Sequence, residues 1–306
     1  MAMYLKMAVA GSLLGQAPAA EKAKLSSTLK SPAVEVPMRF RGSQPAVEVM
    51  VNGQGPFLFA IDTGGAGEAR VNADLAKKLK LETIGKVEGG DGSGRTPRTM
   101  DLVRLNSLTF SGAEFHSVTA AVRDYNPSGS RLPHIDGILC FGLFAEFTLT
   151  LDYPAKQVRV GKTALPKLGN DSVLPFEIEE GVPVVEVKLP QGSVRAHFDT
   201  GNTGGFHLPK ALAETEPLDR TPKAVGKAKT ISGEFPIEQA VLNGSMRIGE
   251  LRFDRPVVTF STVFRHANVG SGVFKNLSLA FDQPNRRLRL VRPQQAPKAS
   301  TDAVVE

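Results

Sequence analysis

The chain has 306 residues, 41% of them hydrophobic and 22% charged, with a net charge of +6. That is enough apolar material for a core in one large domain or two compact ones. A single cysteine, Cys140, excludes an intrachain disulfide framework, and scattered Lys and Arg, with no run interleaved with aromatics, argue for a basic solvated surface and against a nucleic-acid partner.

In chain order, residues 1–19 offer Lys6 as a charged start, Met7 to Leu14 as a short apolar run and Ala17-Pro18-Ala19 as a small-x-small site. This pattern predicts a signal peptide, hence a periplasmic or secreted protein; without processing the chain would be cytoplasmic. No other segment approaches the roughly 18 apolar residues of a membrane span, so no stable membrane insertion is expected. Residues 20–35, which include the polar stretch Glu21 to Lys30, read as a linker.

From residue 36 to 161 short alternating strands dominate, punctuated by glycine and proline. The strand A-V-E-V-M-V (46 to 51) is followed by F-L-F-A-I, which runs into Asp62-Thr63-Gly64-Gly65. A helix is predicted from Asn72, with Asn72 as its N-cap. G-G-D-G-S-G (89 to 94) has the composition of a mobile hairpin tip; it lacks the G-K-[ST] ending of a phosphate loop. F-T-L-T-L-D-Y-P (147 to 154) ends in a turn. Residues 162–173 read as a connector and 293–306 as a disordered tail.

Residues 174–292 repeat this order. Asp199-Thr200-Gly201 follows the first D-T-G by 137 residues (62 to 199). The strand V-V-E-V-K-L (184 to 189) answers 46 to 51, and Pro209 is placed to open the second short helix. Farther on the offset is 130: Gly142-Leu143-Phe144 answers Gly272-Val273-Phe274, and L-S-L-A-F-D-Q-P (277 to 284) answers 147 to 154. A repeat of this length at matching contexts predicts an all-β chain of two homologous β-barrel-like lobes, 36–161 and 174–292, related by a pseudo-twofold axis.

That axis would bring Asp62 and Asp199 face to face. Like charges a few ångströms apart cannot both ionise cheaply, so such a pair holds one proton and offers a base and an acid in one site. Its carboxylates should approach within about 3 Å. Gly64 and Gly201 permit close approach of the two turns, and Thr63 and Thr200 are placed to hydrogen-bond across the interface. A second loop, T-I-S-G-E-F (230 to 235), is the counterpart candidate for a hairpin tip, giving Gly90, Asp91, Gly92, Ser232 and Gly233 as candidate cleft residues.

On these residues the chain resembles the aspartic peptidases, with the two-lobed pepsin-like architecture in the style of bacterial retropepsin-like proteins. The resemblance covers most of residues 36 to 292. It implies an acid-protease fold, a monomer with two lobes, Asp62 and Asp199 as the catalytic pair, no metal or organic cofactor, and an extended peptide or unfolded protein as substrate. An apolar-apolar-Gly segment supports each loop in that family. Asn268-Val269-Gly270 fits it, whereas Ile138-Leu139-Cys140 puts a cysteine where the family has glycine, with the prospect of crowding the first loop. Gly65 and Asn202 stand where pepsin-type enzymes carry a hydroxyl, which predicts a less acidic optimum than pepsin's. The same fold could also serve as a peptide-binding module without activity. The histidines (His116, His134, His197, His207 and His266) lack metal-ligand spacing and read as surface or core; His197 lies two residues before Asp199.

Overall fold

The structure, a computed structural model, describes residues 24–90, 98–126, 132–169, 172–230, 233–262 and 266–292. The signal-peptide reading of residues 1–19 and the tail 293–306 lie outside the described residues. The fold is all-β: three sheets account for nearly all the regular structure, and no described helix is long and apolar enough to cross a membrane.

Each lobe is built around one central pair of strands. In the first lobe Gln54–Asp62 pairs in parallel with Gly137–Cys140, Ala60 opposite Ile138 and Asp62 opposite Cys140. In the second, Gly192–Asp199 pairs in parallel with Ala267–Gly270, Phe198 opposite Val269 and Asp199 opposite Gly270. Gly137–Cys140 and Ala267–Gly270 are buried at every position, which is why both read as continuous small and apolar runs rather than alternations. Phe59, Ile61, Phe198 and Val269 root the two turns in the core.

A third, six-stranded sheet joins the lobes. At its centre Thr148–Asp152 pairs antiparallel with Ser278–Asp282, and Thr150 lies opposite Ala280, its own counterpart 130 residues on. The pseudo-twofold axis passes through that pair. Leu149, Leu151, Leu279 and Phe281 belong to the same continuous apolar cluster as the cores of both lobes.

Three local expectations are corrected. Residues 20–35 are not all linker: Ser26–Leu29 pairs with the strand Ala113–Val122, and Ala33–Pro37 pairs with Gln157–Gly161 as an edge of the joining sheet. Leu29 packs on the core and Val34 is buried in it, a pattern that the flanking Ser, Lys and Pro obscure in the sequence. Asn72 does precede the helix Ala73–Lys78, but its side chain makes no cap bond. Its amide donates to the Ile135 carbonyl and its oxygen accepts from the Tyr125 N–H at 3.2 Å, so it links Tyr125 to Ile135 instead. In the second lobe the short helix is a 3-10 turn, Lys210–Ala213, with Pro209 just ahead of it rather than inside it.

Candidate active site

The two D-T-G turns interlock. The Thr63 N–H donates to Thr200 Oγ1 at 3.0 Å and the Thr200 N–H to Thr63 Oγ1 at 3.1 Å. Each hydroxyl then donates to a carbonyl of the other lobe, Thr63 to Phe198 at 2.6 Å and Thr200 to Ile61 at 2.7 Å. Both threonines are fully buried, so these four bonds are shielded from water. Hairpin turns add a second tie. Ser43 donates to the Thr203 carbonyl at 3.1 Å, and Gly181 of the second lobe lies against Ala66 of the first.

Gly64 and Gly201 let the carboxyls meet. A Cβ on Gly64 would lie 2.3 Å from Asp199 Cγ, and one on Gly201 would lie 2.4 Å from Asp62 Cγ. Each carboxyl thus sits over the glycine of the opposite turn, close enough for the charge of Asp199 to bear on the ionisation of Asp62. Asp62 keeps 14% of its side chain exposed, so the pair is reachable from solvent.

The pair is not symmetric. Asp199 accepts from the Gly201 and Asn202 N–H groups at 2.9 and 3.0 Å on one oxygen, and from the Asn268 amide at 2.8 Å on the other. Three N–H donors thus hold both oxygens of Asp199 in place. Asp62 Oδ1, by contrast, is buried with no donor aimed at it. Burial first, and then the charge of Asp199, push the Asp62 carboxyl up to about 7, against the opposing pull of Arg70. Asp62 is therefore a carboxyl that holds its proton well above the ordinary carboxylate range.

Three residues around the pair were not singled out as functional from the sequence. Arg70, on the strand Ala69–Val71, places Nη1 3.5 Å from Asp62 Oδ2. Asn268 bridges Asp199 and Asn202, whose amide donates to Asn268 Oδ1 at 2.8 Å. His207 is buried beside Asp199, and burial lowers it to about 4, so it is neutral. The repeat offsets carried the signal. Arg70 and His207 are 137 apart and Ile138 and Asn268 are 130 apart; Arg70 lies opposite Ile138 and His207 opposite Asn268.

Cys140 does not crowd the first loop. Its sulfur occupies the space that a side chain at position 65 would need: a Cβ on Gly65 would lie 3.1 Å from Cys140 Sγ and 3.1 Å from Arg70 Nη1. The second lobe has the reverse arrangement, with a side chain at Asn202 and none at Gly270. Burial holds the Cys140 thiol up at about 12, so it is neutral and not a nucleophile.

The two hairpin candidates are both present. Glu82–Gly89 pairs with Arg98–Phe110, and Lys223–Thr230 with Gly233–Val241. Gly90 follows the first ascending strand and Gly233 opens the second descending one; Asp91, Gly92 and Ser232 lie outside the described residues. His197 stacks on His266 with ring centroids 5.3 Å apart. Among the described residues, no group of three or more His, Cys, Asp and Glu is placed to hold a metal. A groove of about 730 Å³ is lined by Phe206, Phe253, Val273 and Arg292 of the second lobe and Pro154 of the first; neither aspartate lines it.

Residues 47–141 match the family model for aspartyl protease, a span that includes the first D-T-G and Cys140. The resemblance to the aspartic peptidases read from the sequence is borne out by that match. No curated protein matches the chain. Among solved structures the chain is similar to conglutin gamma, a basic 7S globulin from lupine seeds, with 11% identity, a TM-score of 0.50, and coverage of 86% of this chain and 95% of that one. It is also similar to basic 7S globulin from soybean, with 12% identity, a TM-score of 0.45, and coverage of 85% and 95%. At such identity the lupine likeness speaks for the fold alone, the two-lobed acid-protease architecture.

Proposed function

We propose that the chain is an aspartic endopeptidase in which Asp62 and Asp199 activate a water to hydrolyse a peptide bond. The observation that carries this reading is the reciprocal seating of the two carboxyls over the opposite glycines, with a buried Asp62 carboxyl that burial and the charge of Asp199 push up to about 7. Asp199, acting as the base, takes a proton from a water held between the carboxyls as the water oxygen bonds to the peptide carbon. Asp62 gives its proton to the carbonyl oxygen, so the intermediate is a neutral gem-diol. Asp199 then returns its proton to the leaving nitrogen as the C–N bond breaks. Asp62 recovers a proton from a diol hydroxyl, and the starting state is restored.

The substrate would be an extended peptide or unfolded protein gripped through its backbone. The two hairpins, Glu82–Gly89 with Arg98–Phe110 and Lys223–Thr230 with Gly233–Val241, are the candidates to flank it. The acid form of Asp62 persists to about 7, so activity should extend to weakly acidic and near-neutral pH, above pepsin's range. The test is cleavage of denatured casein from about pH 3 to pH 7, the range over which such a pair titrates, with and without pepstatin. Pepstatin-sensitive cleavage that disappears in both Asp62→Asn and Asp199→Asn is the expected result. No cleavage at any pH would overturn the reading, and retained peptide binding would then favour a binding module on the same fold.

A further inference from the structure

The first lobe brings a cation to the pair and the second does not. Arg70 and His207 occupy equivalent places, each two strands over from its aspartate and opposite equivalent residues of the strand between, Ile138 and Asn268. His207 is neutral and cannot balance charge on Asp199; the second lobe uses the Asn268 amide instead. Arg70 is only 23% exposed, and its Nη1 faces Asp62 Oδ2 at 3.5 Å. Its fit depends on the absence of a side chain at Gly65. A buried guanidinium kept charged beside one member of a pair, and on one side only, costs desolvation that the local packing does not need.

The direction of charge flow gives it a use. In the reaction above, negative charge leaves Asp199 as that residue takes the water proton, and appears on Asp62 as its proton passes to the carbonyl oxygen. We propose that Arg70 is a positioning residue of the pair: it orients Asp62 and stabilises the negative charge that builds on that carboxylate when its proton leaves. The proposal rests on the endopeptidase reading for its catalytic consequence, but its electrostatic core stands on the geometry alone. The groups that face Asp62 are Asp199 across the axis, the neutral Cys140 on the paired strand, Arg70 on the strand beyond it, and Tyr125. Asp199 and Arg70 are the charged ones, so removal of Arg70 leaves Asp62 beside an anion with no counter-charge.

Two readouts test this. In Arg70→Met, kcat on casein peptides should fall by about tenfold or more with little change in KM, because the lost interaction belongs to the transition state. The alkaline limb of the pH profile should move upward, because an uncompensated Asp62 releases its proton at higher pH; the acid limb should stay. Arg70→Lys should recover part of kcat and most of the alkaline limb. Independently of activity, 13C-carboxyl NMR should show Asp62 titrating higher in Arg70→Met than in the parent or in Arg70→Lys. An unchanged Asp62 titration in folded Arg70→Met, or lost activity with an unmoved alkaline limb, would reduce Arg70 to a packing residue and overturn the proposal. If Arg70→Met does not fold, Arg70→Lys decides, since a packing role predicts no dependence on where the charge sits. A protein that never cleaves peptide yet shows the Asp62 shift would keep the electrostatic coupling and sink the endopeptidase reading.

Discussion

At positions 65 and 140 the first lobe departs from the aspartic-peptidase pattern that it resembles, and the two departures compensate each other. Cys140 Sγ and Arg70 Nη1 fill the volume that a side chain at Gly65 would take, whereas the second lobe carries Asn202 with Gly270. Gly65→Ser alone should crowd Arg70 and the thiol and cost about 1–3 kcal/mol. Cys140→Gly alone should leave a hole and add backbone freedom, at about 1–2 kcal/mol. The double variant should cost clearly less than the two single costs together, by at least about 0.5 kcal/mol. Urea unfolding of the four proteins measures this coupling, and strict additivity would show that the two sites do not share space. The sequence reading found both departures but read them separately. Residues 75 apart give no local sign that they touch, and only the parallel pairing of Asp62 with Cys140 brings them together. Arg70 was missed for a related reason: in a three-residue strand an arginine looks like any solvated charge.

At the scale of strands and turns, the parts legible beforehand are those that repeat. The D-T-G turns, the threonine exchange and the supporting segments follow from two copies of one pattern. The differences between the copies show in the sequence as unlike residues at matching offsets, but their burial and their contacts do not. His207 is the clearest case. It is buried on the strand Phe206–Pro209 with its ring against Gly204, and burial, only partly offset by Asp199, lowers it from 6.5 to about 4. The unfolded chain therefore takes up this proton first as pH falls, so stability present above pH 6.5 is lost as pH drops toward 4. The loss is on the order of 2 kcal/mol. His207→Gln should remove it: between pH 7 and pH 4.5 its unfolding free energy should decline less than the parent's by about that amount. Parallel declines in chemical denaturation at the two pH values would show that His207 titrates as it does in water.

For the whole molecule, the duplication was the most informative feature of the sequence. It led to two lobes and an axis before any geometry was known. The joining sheet, with Thr150 opposite Ala280, and the apolar cluster shared by both lobes make the halves one packing unit. The strands at 26–29 and 33–37 escaped notice because edge strands need little alternation and are polar on their open side. Folding about the axis is what makes two ordinary aspartates, 137 residues apart, into neighbours whose ionisations are linked. Carboxyl titration of both aspartates by 13C NMR, in the parent and in Asp199→Asn, tests that linkage most directly. Here one proton stays on the pair through the weakly acidic range, Asp62 gives it up near 7, and loss of the Asp199 charge moves that event to lower pH. Two independent titrations near pH 4, with Asp62 indifferent to Asp199→Asn, would contradict the account.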